Sequence, residues 1–300
     1  MQKSLIGAIT AFALLTSAAY AAPIPAPVED MIRAASPDQI GTIADVAKAT
    51  NPESIMEIDA LVASITEEAA ARDETELASQ GFFEGWSGEG QIGGIVTSGN
   101  TKDGGIAVGI RLAKDGLQWR HTIDALVDFQ RSNGVKTREA FRFGYEADYL
   151  ISERWFVFGL AQWERDKFAG YSSRFTESVG IGHIVFDSPA FSFEIKSGPA
   201  LRQTRFIATP TLPARSDSKV NVRGTGIIAW NISDGLRFTE EVGMLLGSGN
   251  STYYSRSALT ASLTDVLSAR LSFDVDHETS PPPGVVKTDT STRASLVYDF

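Results

Sequence analysis

From Trp86 to the end of the chain, hydrophobic and polar residues alternate one for one. Leu117, Trp119, His121, Ile123, Ala125, Val127 and Phe129 are interleaved with Gln118, Arg120, Thr122, Asp124, Leu126, Asp128 and Gln130. The same spacing sets Phe141, Phe143, Tyr145 and Tyr149 against Arg142, Gly144, Glu146 and Asp148. It also sets Leu271, Phe273 and Val275 against Arg270, Ser272, Asp274 and Asp276. A period of two belongs to strands with one apolar and one polar face. It predicts twelve strands, over 86–98, 102–114, 117–131, 135–150, 155–166, 173–186, 190–204, 219–231, 236–247, 252–263, 267–278 and 286–300.

A soluble β-sandwich alternates too, so strand length and turns decide which way the faces point. These strands run about 10–15 residues, against about 5–6 in soluble sheets and about 9–11 for a tilted bilayer crossing. Lys114-Asp115-Gly116, Asp187-Ser188-Pro189 and Ser233-Asp234-Gly235 are tight turns, whereas 167–172, 207–218 and 279–285 are longer connections. Short turns on one side and longer loops on the other are the outer-membrane pattern, and an even strand number returns both ends of the sheet to the short-turn, periplasmic side. Trp86, Trp119, Tyr149, Trp155, Trp230 and Tyr298 fall near the short-turn ends, and Phe129, Trp163, Tyr171 and Tyr253 near the others. Rings sorted in this way are expected at two lipid–water boundaries. The fold class that follows is an all-β membrane protein, an up-and-down antiparallel transmembrane β-barrel of about twelve strands with a short N-terminal helical segment.

Ahead of Trp86 the period is helical. Pro23 to Pro27 reads as a Pro/Ala linker. Ser36-Pro37-Asp38 reads as a helix start, followed by Ile40, Ile43 and Val46 on one face. Asn51-Pro52-Glu53 repeats the start, and Ile55, Ile58, Leu61, Val62 and Ile65 form a second stripe that runs into an acidic face over 67–76. Two readings of this segment stay open: a solvated spacer, or a module that docks a periplasmic protein. Earlier still, Lys3, the apolar run Leu5 to Leu15 and Ala19-Tyr20-Ala21 have the order of an export signal. The predicted organisation is a signal peptide over 1–21, an acidic periplasmic helical segment and linker over 22–85, and a barrel over 86–300, placing the protein in a bacterial outer membrane.

Charge sharpens the division. Residues 1–85 carry 4 Lys/Arg against 13 Asp/Glu, and the remainder 23 against 24, so the acidity of the chain belongs to the prefix. Neither part is basic enough for nucleic acid. Cysteine is absent, which excludes disulfides and thiolate chemistry. No His/carboxylate spacing suggests a metal, and no cofactor is implied.

Three motifs carry a resemblance: Thr97-Ser98-Gly99-Asn100-Thr101, Asp148-Tyr149-Leu150-Ile151-Ser152-Glu153-Arg154, and Glu164-Arg165-Asp166-Lys167-Phe168-Ala169-Gly170-Tyr171. With them the chain resembles the salt-induced outer-membrane proteins grouped as domain of unknown function 481, over most of 86–300. The resemblance implies an outer-membrane barrel of unassigned activity and brings no catalytic residues with it.

Candidate chemistry lies on the polar faces. Arg or Lys facing hydrocarbon costs about 2–4 kcal/mol at the midplane, so these charges are expected inside. The cations are Arg111, Arg120, Arg142, Lys196, Arg202, Arg223, Arg237, Arg270 and Arg293. The anions are Asp124, Asp128, Glu146, Asp148, Glu164, Glu194, Glu241, Asp274, Asp276 and Asp299. Near-balanced signs allow salt bridges that fill the lumen or a narrow water-filled path. The expected function is therefore non-enzymatic, as a narrow pore or a structural envelope protein; a stress-related role is what the resemblance to the salt-induced family implies. Against it stands a lipid-modifying enzyme, because His121, His183 and His277 all have apolar parity and Ser255 and Ser257 neighbour His277. The third alternative is an adaptor that uses the helices to hold a periplasmic partner.

Other expected partners are membrane lipid, and lipopolysaccharide phosphates at the mildly basic loop Arg205–Lys219. The final alternation Ala294, Leu296, Tyr298 and Phe300 resembles a signal read by barrel-assembly machinery. Removing Phe300 is accordingly expected to lower the heat-modifiable, folded fraction recovered from membranes, and an undiminished fraction would discard that reading.

Overall fold

Alternating strands can leave no edge unpaired in lipid, which offers no hydrogen bonds, and the closure of the sheet meets that demand. The computed structural model describes residues 23–37, 39–98, 104–132, 135–208 and 212–300. The export signal, Asp38, Gly99-Asn100-Thr101 of the first motif, and Pro210 of the basic loop lie outside the described residues. The chain divides into two compact units between Ser79 and Gln80.

In the C-terminal unit twelve antiparallel strands follow one another round a closed barrel. They are β1 (Ser87–Ser98), β2 (Gly104–Asp115), β3 (Trp119–Ser132), β4 (Val135–Leu150), β5 (Trp155–Asp166) and β6 (Tyr171–Asp187), then β7 (Phe191–Phe206), β8 (Arg215–Ser233), β9 (Leu236–Gly247), β10 (Thr252–Ser262), β11 (Leu267–Glu278) and β12 (Thr288–Asp299). The ring closes where β1 pairs with β12 from Glu89↔Asp299 to Ser98↔Thr290. Gly88 and Phe300 extend the seam by exchanging two backbone hydrogen bonds of 2.9 Å. The outer wall is apolar and uncovered, with Ile92, Val96, Ile106, Val108, Val179, Ile181, Val220 and Leu296 all exposed. A continuous exposed apolar surface of this kind is a lipid-facing one. Among the described residues no helix is long and apolar enough to span a bilayer.

Departures from the strict period have local causes. Arg205–Lys219, expected as a loop, is largely hairpin: β7 and β8 pair as far as Phe206↔Arg215, with the Arg215 guanidinium 4.7 Å from the Phe206 ring centre. Ser216, Asp217 and Ser218 hide this extension because it has no apolar face to alternate. Tyr171, expected in an aromatic belt, is buried. A register shift between Tyr171 and Ser173 turns it inward, and the Arg174 guanidinium lies 4.1 Å from its ring centre. β5 also carries apolar side chains inside: Phe156 and Phe158 are buried. Space for them comes from β6, where a Cβ on Gly182 would lie 2.0 Å from the Phe156 ring and one on Gly180 2.7 Å from the Phe158 ring.

The N-terminal unit holds three helices, α1 (Ala26–Arg33), α2 (Ile40–Thr50) and α3 (Ile55–Ser79), with a 3-10 turn Pro52–Ser54 leading into α3. α1 occupies part of the expected linker. Pro25 is its N-cap and Pro27 sits in its first turn, where a missing N–H breaks no helical bond. Ile32, Ala44, Ala47, Ile58 and Leu61 form its core, flanked by Val28, Ile40, Ile43, Val62 and Ile65. Val46 is 55% exposed, because a 3.6-residue period brings Ala44 and Ala47, not position 46, beneath Ile40 and Ile43. The helices thus bury most of both stripes on one another, while Ile55 at the start of the second stays 40% exposed.

Overpacking around Phe156 gives a direct test of the inward assignment. Gly182→Ala should lower barrel stability by about 1–3 kcal/mol, measured by urea unfolding in vesicles, and adding Phe156→Leu should restore part of the loss.

Candidate functional site

The strands enclose a cavity of about 820 Å³. Its walls include Arg111, Arg120, Asp124, Asp128, Arg142 and Glu146 from β2–β4, and Asp148, Glu194, Lys196, Arg202, Arg223 and Arg237 from β4, β7, β8 and β9. Glu241, Arg270, Asp274, Asp276 and Arg293 complete the same lining, together with Glu164. Each is held there by strand parity, with its neighbours in sequence on the outer wall.

The tertiary structure then decides which of these charges meet. Arg293 on β12 donates to Asp128 on β3, three strands away, at 2.7 and 3.2 Å, and also to Asp274. Arg138 lies 3.7 Å from Asp128 and 3.8 Å from Asp166. Nearer the short turns, Arg120 bridges Asp148 at 2.8 Å and Glu194 at 3.0 Å, and Lys196 joins Glu146 and, at 3.3 Å, Glu194. The buried Phe156 ring sits beneath both cations, 4.7 Å from Arg120 and 5.8 Å from Lys196. These contacts fill the β3–β7 side of the lumen. On the opposite side Arg270 forms a two-pronged pair with Glu89 at 2.7 and 2.8 Å.

One ion pair crosses the lumen between strands five apart in the ring of twelve. Arg174 on β6 donates to Glu278 on β11 at 3.0 Å, and Arg202 on β7 lies 3.9 Å from the same carboxylate while donating to Thr252 at 2.7 Å. Arg142 pairs with Glu164 at 3.5 Å and Arg256 with Asp276 at 3.6 Å. Arg223 donates to the Tyr254 hydroxyl, which donates to Glu241, both at 2.9 Å. Arg111 and Asp124, opposite each other on β2 and β3, and Arg237 on β9 make no ion pair within 4.0 Å among the described residues. Arg138, Arg174 and Arg256 also line the cavity, and their even spacing from Arg142, Thr176 and Tyr254 is the sequence signal that places them there.

Above this network the β11–β12 connection crosses the long-loop mouth. A Cβ on Gly170, after β5, would lie 3.2 Å from Val285 and 3.4 Å from Pro282. Six of twelve strands separate those two loops, so the contact runs straight across. Pro281, Pro282 and Val285 thereby roof the cavity.

The serine/histidine arrangement does not assemble. The Ser255 hydroxyl donates to Glu240 at 2.6 Å, and Ser257 donates to the other oxygen of that carboxylate. His277 instead meets the Thr288 hydroxyl at 2.8 Å. Glu240 lies on the lipid-facing parity of β9, opposite Ser257, an exception to the inward placement of charge. The two hydroxyls reduce its cost. Among the described residues no group of His, Asp and Glu is arranged to hold a metal.

Residues 90–300 match the family described as "Protein of unknown function, DUF481". The chain belongs to this family. A curated relative, "Uncharacterized protein YdiY" of Escherichia coli (strain K12), is 25% identical over 218 residues, covering 72% of this chain and 83% of its own length. Among solved structures, the NanC porin matches with a TM-score of 0.48 at 10% identity, over 70% of this chain and 100% of its own. The translocator domain of the autotransporter NalP from Neisseria meningitidis matches with a TM-score of 0.44 at 10% identity, over 79% and 96%. TM-scores below 0.5 at this identity carry no functional inference for this DUF481 member.

Arg293→Met would leave Asp128 and Asp274 without their shared cation. A loss on the order of 3 kcal/mol is expected, the low end for a broken buried pair, because Arg138 still faces Asp128 at 3.7 Å. Urea unfolding in vesicles measures it, and Asp128→Asn with Asp274→Asn in the same chain should recover most of it.

Proposed function

We propose that this protein is a non-enzymatic outer-membrane barrel that passes water and small ions through a narrow, ion-lined lumen. The supporting observation is the internal cavity, whose lining runs from Asp115 and Asp187 at the short turns to Lys287 and Asp289 at the long loops. Its 820 Å³ spread over an apolar band about 25 Å tall amounts to roughly 33 Å² of cross-section, a few waters wide. The Arg174–Glu278 pair and the proline-containing loop above it narrow the outer half further. A wide general porin is a poor match to that cross-section. A fully sealed structural barrel is the remaining alternative within the same fold.

On this reading the short-turn side is periplasmic and the roofed mouth faces outward. Planar-bilayer recordings of refolded protein in symmetrical potassium chloride provide the test. Small stepwise conductances are expected, rising severalfold in Arg174→Ala/Glu278→Ala. Silence of both proteins, with each shown to be inserted, would replace the pore with a structural barrel.

A further inference from the structure

The residues immediately ahead of β1 form a tight turn laid on the outside of the barrel, in a place the lumen does not use. The Glu84 amide donates to the Gly81 carbonyl at 3.1 Å, and the Gly81 amide donates to the Glu84 carboxylate at 2.9 Å. Gly85 follows in the left-handed region, with φ of 69°, and the Trp86 indole N–H donates to the Phe82 carbonyl at 2.7 Å. A single side chain fastens this turn to the wall. Lys114, on the lipid-facing parity of β2 opposite His121, donates to the carbonyls of Gly81 and Glu84, the latter at 2.7 Å. The ammonium group is thereby buried, although its strand position points it outward.

Fastened in this way, the turn displays two phenyl rings. Phe82 contacts the rings of Trp86 at 5.8 Å and His121 at 5.6 Å, and Phe83 edge-on at 5.2 Å. Phe82 nevertheless stays 51% exposed and Phe83 89% exposed. No packing within the barrel unit accounts for a nearly bare phenyl on a turn held by so many hydrogen bonds. The surface beside it does. Trp119 stacks on His121 at 5.8 Å and touches Tyr149 at 5.0 Å, and His121 bonds the Tyr145 hydroxyl at 3.1 Å. These rings stand at the short-turn ends of β3 and β4, directly below the exposed aliphatic wall of Val108 and Ile110. Flat rings with polar tips are the side chains that favour the boundary between headgroups and acyl chains. The patch is continuous with the lipid-facing surface, so the occupant its chemistry fits is the bilayer.

We propose that 81–86 is an interfacial anchor that inserts Phe82 and Phe83 into the headgroup layer on the short-turn side, with Lys114 as its latch. The chain then enters β1 along the membrane surface at the outer wall, not from beneath the lumen. A partly buried apolar turn at this depth adds a second attachment to that of the strands themselves.

The absence of cysteine makes the test clean. Full-length Phe83→Cys, labelled with an environment-sensitive fluorophore and refolded into phosphatidylcholine vesicles, is compared with Thr75→Cys on the exposed face of α3. Vesicles carry nitroxide lipids labelled in the headgroup or at a shallow or deep acyl position. The label at 83 is expected to show blue-shifted emission and quenching strongest with the headgroup or shallow nitroxide. Adding Lys114→Met should cut that quenching while the barrel remains heat-modifiable on gels. Water-like emission with no quenching by any nitroxide lipid, in a folded barrel, would overturn the anchor. Undiminished quenching in the Lys114→Met chain would overturn the latch.

Discussion

Everything in the barrel unit depends on pairing the last strand with the first. Hydrocarbon supplies no partner for a backbone N–H or C=O, so an open sheet of these strands would leave two unsatisfied edges in lipid. The β1–β12 register, prolonged by the reciprocal Gly88–Phe300 bonds, removes both edges at once. Gly88 leaves room for the Phe300 ring, which would lie 2.5 Å from a Cβ at that position. Once the ring is closed, alternation has only one meaning: one face is lipid and the other is an enclosed lumen.

That enclosure changes what a charge is worth. On an exposed surface most of these pairs would contribute little. Inside, with several partners each, they fill space and set the bore. Arg293 and Arg120 each serve two carboxylates, and the buried Phe156 ring adds apolar bulk against the cations Arg120 and Lys196. The lumen is therefore neither a packed core nor an open channel, and its asymmetry comes from which side chains reach across.

Lys114 and Glu240, two of the charges on the outward parity, show the same balance. Lys114 avoids lipid by binding carbonyls of the turn before β1, and Glu240 is accompanied by the hydroxyls of Ser255 and Ser257. In both cases an outward charge is tolerated because neighbouring polar groups share it. The hydroxyls that alternation places near His277 are engaged instead by Glu240, which shares their outward parity.

The sequence alone determined the strand number, the facing of nearly every residue and the separate helical prefix, because side-chain direction along a strand repeats every two residues and is set locally. It misjudged places where local rules compete: the bulge that turns Tyr171 inward, the two-faced polar hairpin beyond Arg205, and the Pro-led first helix. Only the tertiary structure decided which charges pair, that the β11–β12 loop roofs the mouth, and that Lys114 holds the turn at 81–84. Partners such as Arg174 and Glu278 are 104 residues apart. They meet because closure and strand tilt fix relative heights around the ring, a global geometry on which no single segment carries information.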